Sequence, residues 1–169
     1  LTVTPIPGRF GQGFPGMVYL STLAYLDPAE RQLPRADTVN HIFFSEILHA
    51  HEVAHQWWGN GITSADYQDD WLMEALANYS ALVLLEKRKG TRVLDTVLDS
   101  YRQNLLRKLD DGRVVESAGP VTMGHRLYSS QFPASWSIVT YEKGTWILHM
   151  LRRKLGDTAF WNLLNEIYR

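Results

Sequence analysis

The sequence predicts a mainly helical α+β domain with a small β portion at its N-terminus. Three observations carry that reading. Residues 1 to 26 alternate and are broken by Pro and Gly, as in LTVTPIPGRFGQGFPG. From Asp37 onward, apolar residues recur at spacings of three and four, the period of a helix with one buried face. Gly59-Asn60-Gly61, Gly90, Gly112 and Gly156 then cut this periodic stretch into helix-sized pieces.

Taken in order, Leu1-Thr2-Val3-Thr4 and the apolar Met17 to Leu20 read as strands around a glycine-rich turn. Asp37 or Thr38 caps a long helix through Ile42, Phe43, Ile47, Val53, Ala54 and Trp57, which Gly59-Asn60-Gly61 stops. A second helix starts near Asp69-Asp70, whose charges suit a helix N-terminus, and ends at Gly90. Its Lys87-Arg88-Lys89 run sits where cations favour a helix C-terminus. A third runs from about Thr91 to Leu109. Residues 113 to 135, rich in Gly, Ser and Pro, are too long for a plain connector and read as a loop over a site. Two closing helices, about Ser137 to Leu155 and Asp157 to Tyr168, are separated by Gly156.

Composition narrows the functional classes. The 169 residues are 45% hydrophobic and 21% charged, ordinary for one packed domain. With a formal net charge of −1 and no basic run longer than three residues, the chain carries no electrostatic footprint for nucleic acid. There is no cysteine, which excludes disulfides and thiolate zinc sites, and no apolar run approaches the ~18 residues of a membrane span. The compartment stays open. Because the chain begins at Leu1 in a strand-like segment, it reads as one domain (1–169) of a longer protein, with residues 1–36 as a β substrate edge and 37–169 as the helical part.

The chemistry is concentrated in HAHEVAHQWWGN, His49 to Asn60. Residues four apart share a helix face, so His51 and His55 can aim imidazole nitrogens at one point. Glu52 is rotated by about 100° from His51, which puts its carboxylate beside a metal rather than on it, where it can take a proton from water. A catalytic zinc site needs a third protein ligand and one open position, and Glu74 in WLMEALANY on the next helix is the natural third ligand. Two imidazoles and one carboxylate suit zinc.

HEVAH followed by eighteen residues and Glu74, within HQWWGN and WLMEALANY, resembles the M1 family of zinc aminopeptidases, the group of aminopeptidase N and leukotriene A4 hydrolase. A further match is TYEKGTWILHMLRRKLG, Thr140 to Gly156, similar to the family's YEKG segment. The resemblance implies a thermolysin-like gluzincin catalytic domain, one Zn2+ per chain on His51, His55 and Glu74, a peptide substrate, and flanking domains in the parent chain. It further implies Glu52 as general base and then proton donor to the leaving amine, and Tyr141 as donor to the developing oxyanion.

The sequence departs from the family at the GAMEN-like strand, whose Glu binds the substrate's free α-amine. No Asp or Glu occurs from Leu1 to Leu26. Gln12 is the nearest polar substitute, Gly13 and Gly16 allow substrate backbone to approach, and Arg126 in the long loop is a further candidate for substrate contact. The expected function is therefore a zinc metallopeptidase, aminopeptidase-like, with an altered amine-binding segment. The rivals are a peptidase accepting N-blocked substrates and a zinc-stabilised, non-catalytic scaffold. His49 lies on a different helical face from His51 and His41 nearly three turns earlier, so both read as surface or packed polar residues, His125 joins Arg126 in the long loop, and Asn78 and Asp70 lie one helical turn either side of Glu74, positioned to orient it. Trp57 and Trp58 read as packing anchors for the metal helix.

Overall fold

The computed structural model describes residues 1–132 and 134–169. Strands β1 (Thr2–Ile6), β2 (Gln12–Phe14) and β3 (Met17–Ser21) form a sheet in the order β1-β3-β2. β2 and β3 make an antiparallel hairpin turning at Gly16, whereas β1 runs parallel to β3 with Thr2 opposite Met17 and Ile6 opposite Ser21. Pro5 is tolerated because β1 is an edge strand. Alternation sends Val18 and Leu20 of the central strand into a core with Phe44 and Leu48.

The helix of residues 38–54 is one rod in three parts: α1 (Thr38–Ile42), a π-helical stretch (Phe43–Ile47) and α2 (Leu48–Ala54). Asp37 caps it by accepting from the Asn40 backbone N–H at 3.2 Å and from the Asn40 amide at 2.7 Å. The wider π turn explains the five-residue step from Ile42 to Ile47, which a regular helix would not place on one face. Buried Arg31 locks that turn, donating to the His41 carbonyl at 3.0 Å, Ser45 Oγ at 2.8 Å and the Leu26 carbonyl at 3.1 Å.

α3 (Asp70–Lys89) is the central helix, flanked by α2, α4 (Thr91–Leu106) and α6 (Gly144–Leu155). Its buried residues, among them Ala75, Leu76, Tyr79, Leu82 and Leu85, lie on more than one face, as expected of a helix packed on several sides. Leu76 and Tyr79 pack with Leu148 of α6 and Phe160 of α7 (Asp157–Tyr168), while Leu82 and Leu85 pack with Leu94, Val97 and Leu98 of α4. Arg152 ties α3, α6 and α7 together, donating to Glu86 at 2.8 Å and to Asp157 at 2.8 and 2.9 Å.

Four features differ from the sequence expectation. The helix bearing His51 and His55 ends at Ala54 rather than near Gly59, the third helix at Leu106 rather than Leu109, and the stretch after residue 113 folds into 3-10 turns at Val115–Ala118 and Val121–Leu127. The first closing helix begins earlier, with α5 (Ser135–Ser137) and a second π-helical stretch (Ile138–Lys143) leading into α6. Because the helix bearing His51 and His55 stops early, only one of the paired tryptophans is an anchor. Trp58 is buried and its indole N–H reaches Ser80 Oγ at 3.1 Å, whereas Trp57 is turned outward and 48% exposed.

Candidate metal centre

His51 and His55 project from successive turns of α2, and Glu74 from the second turn of α3, which lies against it. His51 Nε2 and His55 Nε2 are 3.0 Å apart, and Glu74 Oε2 lies 3.4 Å from each. Glu74 Oε2 is buried and makes no hydrogen bond among the described residues. Metal–ligand distances of roughly 2.0–2.1 Å in a tetrahedral zinc site require ligand atoms about 3.3 Å apart. The three atoms therefore have the spacing of one face of such a tetrahedron, and the donor set fits zinc. Thiolate ligands are excluded by the sequence itself, which has no cysteine.

Further contacts orient these groups. His55 Nδ1–H donates to the Trp58 carbonyl at 2.8 Å, which leaves the Nε2 lone pair directed at the shared point. That carbonyl is available because α2 ends at Ala54, with His55 as its C-cap, and the chain turns back on itself. The two imidazoles beside Glu74 outweigh its burial and hold its carboxyl well below the usual carboxylate range. Glu52 is 4% exposed, and burial pushes its carboxyl up to about 7, against opposing contributions from His55 and the Gly13 backbone N–H. One donor atom each of His51, Glu52 and His55 falls within 4.8 Å of the others, so Glu52 stands at the centre without being needed to complete the three-atom face.

The glycine strand closes over Glu52. A Cβ on Gly11 would lie 2.5 Å from Glu52 Oε1, and one on Gly13 would lie 2.7 Å from the Glu52 carbonyl and 2.8 Å from His55 Cβ. Both positions need the bare backbone. Gly11→Ala is expected to displace the Glu52 carboxylate and lower kcat at least 10-fold, since misplacing a reacting group by about 1 Å costs on the order of 100-fold. Metal content measured by atomic absorption should stay unchanged, because the ligands are untouched.

Tyr141 comes from the π-helical stretch before α6. Its ring is tilted at 5.6 Å from His51, and burial followed by the Glu74 charge raises its pKa above the ordinary phenol value. Gly144 makes this approach possible, for a Cβ there would meet Ala75 Cβ at 2.7 Å, one residue beyond Glu74. Asn78, one turn after Glu74, fixes the same crossing by donating to Thr145 Oγ1 at 2.8 Å. Asp70 accepts from Ser64 Oγ and lines a cavity of about 420 Å3 with Glu74 and His125. His125, Tyr128 and Trp136 form a ring stack beside Tyr141, with Trp136 edge-on to it at 5.6 Å.

The remaining sequence candidates are not drawn into this cluster. Gln12 is exposed on the face of β2 opposite buried Gly13, and Gly16 lies in the hairpin turn with its N–H donating to Gln56 Oε1 at 2.9 Å. Arg126 is exposed and stacks over the Tyr67 ring at 5.0 Å. His41 bonds the Pro34 carbonyl at 3.3 Å and His49 packs edge-on to Tyr25, both away from the three ligand atoms. Sequence reasoning missed Gly11 as a contact of Glu52. The glycine-rich composition signalled close approach but not which glycine makes it.

The Peptidase family M1 domain matches residues 18–168. Human endoplasmic reticulum aminopeptidase 2 is 31% identical over 111 residues, covering 66% of this chain and 11% of the relative. Aminopeptidase N of Lactococcus lactis subsp. lactis is 32% identical over 120 residues, 68% of this chain and 13% of the relative. Bovine endoplasmic reticulum aminopeptidase 2 aligns further, 27% identical over 144 residues, 85% of this chain and 14% of the relative. The chain thus spans between 11% and 14% of the length of these relatives. No solved structure matches. Among the described residues, no helix is long and apolar enough to cross a membrane.

Proposed function

The chain belongs to peptidase family M1, and from that premise we propose that it is the catalytic domain, of thermolysin-like gluzincin type, of a larger zinc metallopeptidase that hydrolyses peptide bonds. One observation carries this reading: His51, His55 and Glu74 bring their ligand atoms within 3.0–3.4 Å of one another beside a buried Glu52. Flanking domains of the parent, suggested by the small share of each relative that the chain covers, complete the substrate site.

When bound, zinc supplies a Lewis acid to the peptide carbonyl and makes water easier to deprotonate at neutral pH. Glu52 accepts the proton as water oxygen bonds to the carbonyl carbon, then delivers it to the amine as the C–N bond breaks. The burial of Glu52, which favours its neutral form, helps it accept that proton. The Tyr141 hydroxyl donates to the carbonyl oxygen as negative charge develops there, a contact worth more in the transition state than in the ground state. The bare Gly11 and Gly13 backbone lets an extended substrate lie along the exposed edge of β2. Tyr141→Phe is expected to lower kcat about 100- to 1,000-fold with little change in KM, in steady-state assays on a peptide substrate.

The altered segment makes the choice of substrate terminus open to experiment. The hairpin that would hold an α-amine carries no acidic residue, and Gln12 points away from Glu52's side of the strand. This favours a second reading, a peptidase that accepts N-blocked chains. Hydrolysis of a peptide series, free and N-acetylated, by the zinc-loaded full-length parent decides between them. Cleavage of free peptides alone supports an aminopeptidase, equal cleavage of both supports the second reading, and cleavage of neither rejects hydrolysis.

A further inference from the structure

The β2–β3 hairpin that lies over Glu52 has little of its own to hold it there. β2 is a three-residue edge strand with only Gly13 buried, and Phe14 at its end is half exposed. A hairpin this short is marginal by itself and needs packing or polar contacts to fix its place. The structure supplies a polar contact at the tip. The Gln56 side-chain amide donates from Nε2 to the Phe14 carbonyl at 2.8 Å and accepts through Oε1 from the Gly16 N–H at 2.9 Å.

One amide thus bridges 40 and 42 residues of chain with both of its polar atoms. A side chain of this length needs a donor and an acceptor at the same end to do so, which neither a carboxylate nor an alkyl chain offers. Gln56 takes this direction because α2 ends at Ala54, and its own N–H bonds the Val53 carbonyl at 3.0 Å in the turn after the helix. It follows His55 directly, so the hairpin tip is tied to the turn that carries one of the three ligand atoms. The Asn60 amide reaches towards the Gly13 carbonyl at 3.5 Å, a longer and weaker contact. Gly11 and Gly13, just before that tip, are the backbone positions seated on Glu52 and His55.

We propose that Gln56 is a positioning residue of the site: its amide clamps the hairpin tip to the turn bearing His55 and so keeps the Gly11 to Gly13 backbone seated against Glu52. It touches no reacting atom and acts through the hairpin. This rests on the reading of the domain as a peptidase. The contact lies outside the apolar clusters, so its loss frees the hairpin without opening the core.

The test compares the zinc-loaded full-length parent with Gln56→Met, which keeps the length of the side chain and removes both hydrogen bonds, and with the same change added to Gly11→Ala. The proposal expects kcat to fall about 10-fold in Gln56→Met, because small displacements around a reacting group are costly. Zinc content and the folded fraction should match the parent. The double variant should lose less than the product of the two single losses, because both changes lift the same strand from Glu52. An unchanged kcat, a loss that tracks released zinc or unfolded protein, or losses that simply multiply each overturn the proposal.

Hydrogen exchange of the same proteins, followed by mass spectrometry, reads the hairpin without turnover. Peptides covering residues 11–18 should exchange about 10-fold faster in Gln56→Met, with those covering residues 48–55 unchanged. If the parent cleaves nothing and this local acceleration is seen, the peptidase reading fails and the clamp on the glycine strand stands. Equal exchange in parent and variant overturns the clamp whatever the activity.

Discussion

Glu52→Gln is expected to reduce peptide hydrolysis by about 1,000-fold, within the 10²- to 10⁴-fold range of general acid–base catalysis. The loss should fall on kcat and leave KM nearly unchanged, because Gln is isosteric and still binds but cannot carry the proton. The geometry makes this a clean substitution. Glu52 is not needed to complete the three-atom ligand face, and Gly11 leaves just enough room for its carboxylate. Metal content and melting temperature should therefore match the parent. A variant that loses stability or zinc together with activity would point to a structural role for Glu52.

His55→Ala should have the second large effect, through the metal. Removing one of three ligands that lie 3.0–3.4 Å apart is expected to drop bound zinc from one per chain to near zero and to abolish hydrolysis. A stability signature accompanies it. Zinc held at about 1,000 times its Kd stabilises the folded state by about 4 kcal/mol, so a chelator should lower the melting temperature of the parent by several degrees. The same chelator should leave the His55→Ala variant unmoved. Equal responses in the two proteins would mean that the metal sits elsewhere.

Much of this centre was legible from residue order because its geometry is local. A four-residue spacing on one helix fixes how His51 and His55 face each other, and a glycine break followed by an apolar helix bearing Glu74 leaves few ways to fold back. What escaped was set by packing across the chain. The two π-helical stretches are held by tertiary contacts such as those of Arg31, and no residue type announces them. The 3-10 turns within residues 113–135 were hidden for a similar reason, since Gly, Ser and Pro mark irregularity without specifying it. Trp57 and Trp58 looked alike in sequence, yet the end of α2 at Ala54 leaves Trp58 buried and Trp57 exposed.

The fold converts these local features into one site by two close approaches. Gly11 and Gly13 let the hairpin rest on the metal helix, and Gly144 lets the helix after Tyr141 rest on α3 beside Glu74. Side chains at those three positions would push apart the elements that carry Glu52, His51, His55, Glu74 and Tyr141. Their smallness is thus part of the geometry of this site rather than a property of loops.

The most direct measurement is a zinc titration of the chelator-treated full-length parent, with peptide hydrolysis followed at each addition. The account predicts no activity at zero zinc and a linear rise that saturates at one equivalent per chain, with a flat response when Glu52 is replaced by Gln. Hydrolysis that persists without metal, or zinc bound at one equivalent with no cleavage of any peptide, would contradict it.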